Sequence, residues 1–386
     1  MLKIRSNYIK KKIFKNISEK KCLHLLKFNK NLQNILHMSI KDYKLYNQIE
    51  IELNPRINSN DEDIFINISK KDKPFIHIYI NDNYLKKFKN CRLKSNDKIS
   101  QIKILIDNEI KSFKRLFKNC ECLEKININK CNRKDIINMS EMFYGCINII
   151  NINLSNLKTD KVTDMSYMFS ECSSLRNLYL INFNTSKVTN MQHMFEKCSC
   201  LEKLNLDNFN TSNVIYMNNM FSECELLYSL KLNNFNTSNA KYMSHMFYNC
   251  SYLGVLNLSN FDTSKVRDMS YMFYHCSHLD ALNLSNFNTS KVANMSNMFN
   301  KCFDLIKLDI SNFIIKDNTR IKYMLSNCNI NLQNKIKNQF KNIKDIAFEK
   351  EDQIDEPTLF NDNASSVLDI SRENLGEDEL LWNDIN

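Results

Sequence analysis

One period governs the middle of this chain. The dipeptide Met-Phe recurs at Met142, Met168, Met194, Met220, Met246, Met272 and Met298. It is opened by Leu116-Phe117 and closed by Met324-Leu325, always at an interval of 26 residues. Nine copies without a slip constrain the fold more than any other feature. Each copy must form one turn of a stack, because a lone turn cannot bury its own apolar face whereas adjacent turns bury each other's.

The columns of the repeat carry its chemistry. A cysteine stands four residues after each marker, at Cys120, Cys146, Cys172, Cys198, Cys224, Cys250, Cys276, Cys302 and Cys328. Two apolar residues two apart follow, such as Leu178 and Leu180 or Leu204 and Leu206. That alternation predicts a short half-buried strand. Asparagine comes two residues later, at Asn156, Asn182, Asn208, Asn234, Asn260, Asn286 and Asn312, and after it Phe183, Phe209, Phe235, Phe261, Phe287 or Phe313. A buried carboxamide there can bond backbone groups of its own and the adjacent turn, and is expected to act as a structural ladder. A polar corner (Asn184, Thr185, Ser186) leads to Val188, Met191, Met194, Phe195 and Cys198. Their spacing of i, i+3, i+6, i+7 and i+10 predicts one face of a short helix. The expected fold is therefore an α/β repeat solenoid with one short strand and one short helix per turn.

Composition removes whole classes of function. Three glycines and three prolines in 386 residues leave no Gly-rich phosphate loop, dinucleotide fingerprint or nucleophile elbow. The net charge of +10 accompanies heavy use of Asn, Lys and Ile throughout, so it is not read as a nucleic-acid footprint. No apolar run of signal-peptide type follows the basic N-terminus, and no stretch is long and apolar enough for a transmembrane helix. The expectation is an intracellular, cytoplasmic protein without membrane insertion.

The columns resemble the BspA-like leucine-rich repeats of 26 residues, written roughly C-x-x-L-x-x-L-x-L-x-N-F-(N/D)-T-S-x-V-x-x-M-x-x-M-F. The segment Cys250–Phe273, CSYLGVLNLSNFDTSKVRDMSYMF, fits every position. The resemblance covers residues 113–330. It implies a leucine-rich-repeat solenoid, adhesion or protein binding, and no enzymatic activity.

The ends read differently. Residues 1–45 have Ile9, Ile13, Phe14, Ile17, Leu23 and Leu26 at helix-like spacing, and twelve Lys/Arg against three acids lie in residues 1–50. Residues 9–33 resemble an F-box, without its usual Leu-Pro opening, which implies a substrate receptor of a ubiquitin ligase. Residues 46–112 contain IEIEL, DIFINI, FIHIYI and QIKILI, alternating at period two, and predict a β-rich cap. Residues 331–350 are expected to form a C-terminal helical cap. Residues 351–386 carry eleven acids against Arg372 and end near Trp382, the only tryptophan; they are expected to be a disordered acidic tail.

Candidate sites follow from geometry. Nine of the fourteen cysteines share one column, where a reduced thiol suits a narrow stacked core. Cys120, Cys122 and Cys131, or Cys198 with Cys200, lack two-plus-two zinc spacing. The seven histidines share no column, and no nucleophile–base pair is brought together, so neither catalysis, a metal nor a cofactor is expected. In each strand the leucines point inward and their neighbours outward. The outward residues Tyr179, Ile181, Lys203, Asn205, Asp207, Lys231, Asn233, Asn257, Ser259, Asn283, Lys307 and Asp309 are the expected partner-binding set. Solenoids bind through such a surface, commonly their concave face. The leading expectation is a non-catalytic protein-binding scaffold with a protein partner and no nucleic acid. The alternatives are the F-box-like receptor and a cell-surface adhesin.

Overall fold

The computed structural model describes residues 30–36, 40–56, 63–81, 88, 90–94, 97–340 and 343–350. The F-box-like stretch 9–33, apart from its last four residues, and the acidic tail 351–386 lie outside the described residues.

The repeats form a solenoid with a 26-residue turn. Its strands are short because each spans one side of a turn: β6 (Leu123–Lys130), β7 (Asn151–Asn153), β8 (Asn177–Leu178), β9 (Lys203–Asn205) and β10 (Ser229–Lys231) pair in parallel in that order. β11 (Ala281–Asn283) and β12 (Lys307–Asp309) form a second parallel pair. The register is one full turn, with Leu204 opposite Leu230 and Leu282 opposite Leu308. A shift of one residue would turn the leucines out of the core.

The other side of each turn is not a helix, which corrects the expected strand-plus-helix repeat. In the turn through Met194, the N–H groups of Met191, His193, Phe195 and Lys197 donate to carbonyls of Tyr216, Asn218, Met220 and Ser222 in the next turn, at 2.8–3.0 Å. The alternating N–H groups of Met194, Glu196 and Cys198 close back three residues onto Met191, His193 and Phe195 at 3.1–3.3 Å. An α-helix keeps its N–H bonds inside one segment; here every second donor stitches one turn to the next. Tight turns every four residues require left-handed backbone, found at His193 (φ 55°) and Lys197 (φ 56°), and likewise at Tyr167, Glu171, Asn219 and Glu223. A parallel bridge series runs along this side through Ser112, Asn138, Asp164, Asn190, Tyr216, Tyr242, Asp268, Asn294 and Arg320, one residue per turn. The repeats form a β-solenoid, hydrogen-bonded from turn to turn along both sides, with the strand ladder interrupted between β10 and β11.

The core between the two sides is a set of one-residue columns. Phe117, Phe143, Phe169, Phe195, Phe221, Phe247, Phe273 and Phe299 stack at centroid distances of 5.5–5.7 Å. Each column cysteine from Cys146 to Cys328 donates its Sγ–H to a phenylalanine carbonyl of the preceding turn, for example Cys198 to Phe169 at 3.1 Å. Burial pushes these thiols up, Cys146 and Cys276 to about 12. The polar corners are tied by threonine: the buried Thr211 hydroxyl donates to the Asn236 carbonyl at 2.9 Å and accepts the Asn236 N–H at 2.8 Å. Thr159, Thr185, Thr237, Thr263 and Thr289 repeat the same pair of bonds.

The asparagine column is also a ladder, but it is half-exposed or exposed and reaches only backward, where a buried carboxamide serving both turns was expected. Asn208 donates to Leu180 (2.9 Å) and Phe183 (3.1 Å), Asn260 to Leu232 and Phe235, and Asn286 to Leu258 and Phe261. Asn156 reaches Ile128, Asn182 and Asn312 reach Ser155 and Ser285, and Asn234 reaches Asp207. The preceding turn accepts the Nδ2 of each carboxamide, and the exposure of the column leaves the other end open to solvent.

Both ends of the core are covered. At the start, β1 (Ile49–Pro55) pairs antiparallel with β6, and β5 (Ile102–Ile106) and β3 (Ile76–Ile80) extend the sheet beyond it. The helix Ile330–Gln339, capped by Asn329, buries Leu332 and Ile336 against the last turn. Beyond it the carbonyls of Ile346 and Ala347 accept the N–H groups of Tyr323 and Leu325. Donors that would otherwise face a missing turn are thereby satisfied.

Candidate functional site

The strand side presents a flat array because period-two alternation leaves every second residue outward. Tyr179, Ile181, Lys203, Asn205, Lys231, Asn233, Asn257, Ser259, Asn283, Lys307 and Asp309 are exposed, and Asp207 is half-buried. Stacking places equivalent residues about 4.8 Å apart along the axis. The face is not uniformly polar: Tyr179 is 76% and Val255 78% exposed.

Local bonds fix the orientation of its polar groups. The Oδ1 atoms of Asn205, Asn257, Asn283 and Asp309 accept the N–H two residues on, from Asp207, Ser259, Ser285 and Ser311, at 2.9–3.1 Å. This self-closed turn commits the oxygen and directs each Nδ2 of the asparagines outward. The Ser311 backbone and hydroxyl, with Lys335 nearby, hold the Asp309 carboxyl below its usual range. Asp207 accepts both the N–H and the Nδ2 of Asn233 (2.9 and 3.2 Å). The Lys203 ammonium lies 5.3 Å from the Tyr228 ring centroid, a cation–π arrangement that pins two long side chains.

The neighbouring corner contributes residues that alternation along the strand does not identify. Tyr228 and Tyr252 are exposed, and the Tyr252 ring stacks on His278 at 4.9 Å. Among the described residues, fourteen large hydrophobic side chains are exposed, and ten of them lie on the strand or this corner: Ile147, Ile150, Tyr179, Ile181, Leu226, Tyr228, Tyr252, Val255, Phe303 and Ile306. The signal in the sequence was the loss of polar character at these columns in particular turns.

The turn side is different in kind. Its titratable groups face one another: Tyr144 donates to Glu171 at 3.1 Å, Ser170 to the buried Glu196 at 3.1 Å, and the His193 ring stacks on Tyr167 at 4.3 Å. His193 Nδ1 lies 3.0 Å from Glu196 Oε2 but out of hydrogen-bonding alignment. Burial, reinforced by Glu171, pushes the Tyr144 phenol up to about 12. No group of three or more His, Cys, Asp or Glu side chains converges as a metal site among the described residues. Nor is any of their helices long and apolar enough to cross a membrane.

Comparison with curated proteins and with solved structures returned no match. The repeats do match the family described as "Mycoplasma protein of unknown function, DUF285", in overlapping stretches at residues 111–226, 176–256, 216–340 and 253–366. These stretches follow the solenoid from its first turn through its C-terminal cap and cover more than half of the 386 residues. The chain belongs to this family of 26-residue repeat proteins.

Proposed function

We propose that this protein is a non-catalytic scaffold that binds a protein partner through the strand face of its solenoid. The observation that carries the reading is the one-sided distribution of exposed apolar side chains. Chance would scatter them, whereas an aromatic-rich patch with a polar rim is the composition of docking surfaces. Tyr179, Tyr228 and Tyr252 are the anchors, since large rigid amphipathic rings dominate interface energetics. Stacked turns supply a preorganised surface, so binding loses little entropy in ordering it. The backbone of the turn side holds the turns together through its hydrogen bonds to the next turn. We read the repeats as the BspA-like variety, on the strength of the columns from Cys250 to Phe273.

The test is site-specific photo-crosslinking in the native cells. A photo-reactive residue replaces Tyr179 or Tyr228 on the strand side, and Thr189 or Lys241 on the turn side, all four being exposed. A discrete protein adduct from the strand-side positions alone is expected. Adducts from the turn side alone, or from none of the four, refute the reading.

A further inference from the structure

Towards its C-terminal end the strand face is indented. A shallow groove of about 390 Å³ crosses the turns there, lined by Leu256, Leu282 and Leu308 as floor and by Asn257, Asn283, Ala281, Lys307, Asp309 and Lys335 as walls. A small side chain marks its middle. The outward position that carries Val255 in one turn and Lys307 two turns later carries only Ala281 between them. Lys335 enters from the C-terminal helix Ile330–Gln339. Val255 and Ile306 are exposed beside it.

The walls are strongly biased towards donors. Asn257 and Asn283 each use one Oδ1 lone pair on the backbone N–H groups of Ser259 and Ser285, which orients the amide, and each offers its Nδ2. The Lys307 and Lys335 ammoniums have no ion pair or side-chain hydrogen bond among the described residues. Against these four donors stands one carboxylate, Asp309, itself bonded to Ser311. A ligand that matched this lining would be rich in acceptors and negatively charged, with an apolar group for the leucine floor and the Ala281 notch.

We propose that this groove binds an extended acidic peptide segment carrying an apolar side chain at its centre. This rests on the strand-face reading and specifies the chemistry of the partner. The length fits: from the Val255 turn to the Lys307 turn is two steps of about 4.8 Å, roughly 10 Å, which three residues of extended chain span at about 3.3 Å each, with Lys335 beyond them on the C-terminal helix. The central apolar side chain fills the notch above Ala281. Flanking carboxylates meet Lys307 and Lys335, and peptide carbonyls accept from Asn257 and Asn283.

The test uses the full chain and a fluorescein-labelled pentapeptide, Glu-Asp-Leu-Asp-Glu, followed by fluorescence anisotropy. Saturable binding that weakens several-fold with added salt is expected. The double charge reversal Lys307→Glu with Lys335→Glu is expected to weaken it about tenfold or more. Asp309→Asn is expected to tighten it about two- to threefold, a gain that misfolding cannot mimic. Replacing the peptide's Leu by Ser weakens it about tenfold, the scale of one lost apolar side chain. The proposal is overturned if no saturable binding occurs below millimolar peptide, or if the charge reversals leave it unchanged. It is equally overturned if Asp309→Asn weakens binding, if the Ser peptide binds as well, or if a single-stranded RNA oligomer binds more tightly. Should the peptide fail while Tyr179 and Tyr228 still crosslink to a protein, the groove assignment falls and the strand-face reading stands.

Discussion

Glycine and valine substitution at one left-handed position together separate this solenoid from a helical repeat. Lys197 has φ 56°, in a region that costs an L-residue about 1–2 kcal/mol and glycine almost nothing. Its side chain faces two carboxylates: Glu171 lies 4.0 Å away with both groups about a third exposed, a pair worth roughly 0–1 kcal/mol, and the Lys197 charge also offsets the burial that raises the Glu223 carboxyl. Glycine's extra freedom in the unfolded chain subtracts about 0.5–1 kcal/mol. Lys197→Gly should therefore change stability by between about −1 and +1.5 kcal/mol, leaving Tm within roughly 4 °C of the parent. Were the segment helical, the same change would cost about 1 kcal/mol. Lys197→Val sharpens the contrast, because a β-branched residue is poorly tolerated at positive φ although a helix accepts it with a few tenths of a kcal/mol. The assay is thermal unfolding followed by far-ultraviolet circular dichroism. A glycine variant that melts several degrees lower, beside a valine variant that melts like the parent, would refute the turn-ladder account.

Three further outcomes follow from the core. Phe221→Ala removes a ring stacked between Phe195 and Phe247 at 5.6 Å on either side and should cost about 3–5 kcal/mol, read as a lower urea midpoint; a change under 1 kcal/mol would show that the column does not pack as a unit. Thr211→Val takes away a buried hydroxyl that both donates to and accepts from Asn236, and should cost about 1–3 kcal/mol where an exposed threonine would cost almost nothing. His245 is pushed down to about 4, first by burial. Its folded value lies below its ordinary 6.5, so its contribution is complete above about pH 6.5 and is lost as pH falls towards 4, by about 1–3 kcal/mol; His245→Phe should flatten that limb of the stability–pH curve.

The thiol column gives the opposite sign. Burial raises Cys146 and Cys276 to about 12 from the ordinary 9.0. A raised folded pKa confers stability that is whole below about pH 9 and is lost as pH climbs towards 12. In iodoacetamide at pH 8, the half-exposed Cys91 and Cys200 should be alkylated and the column should react only after unfolding. Alkylation of Cys146 or Cys276 in the folded chain would contradict the account.

The stack was legible in the sequence because one column meets only its own copies: a 26-residue interval places Phe195 on Phe169 and Phe221, so selection for one core position is written down once per turn. The strand was legible for the same reason, with Leu204 and Leu206 buried and Lys203 and Asn205 exposed. The turn side was misread because two geometries share one spacing. A chain of four-residue turns buries Met191, Met194, Phe195 and Cys198 on one face at the same intervals as an α-helix. What distinguishes them is backbone conformation, which glycine would have announced but which Tyr167, Glu171, His193 and Lys197 do not. Two signals were available: Gly145 (φ 70°), in the same column as Glu171 and Lys197, and asparagine, the residue best suited to left-handed backbone after glycine, recurring there at Asn119, Asn219, Asn249, Asn297 and Asn327. The corner aromatics Tyr228 and Tyr252 escaped notice because each is the single tyrosine of its own column of mixed residues, which looks like drift, until stacking brings them beside Lys203 and His278. In this repeat protein the constant columns encode the stack, and the turns that break the column pattern are where we propose that the partner binds. Tyr179, Tyr228, Val255 and Ala281 each break it on the same face.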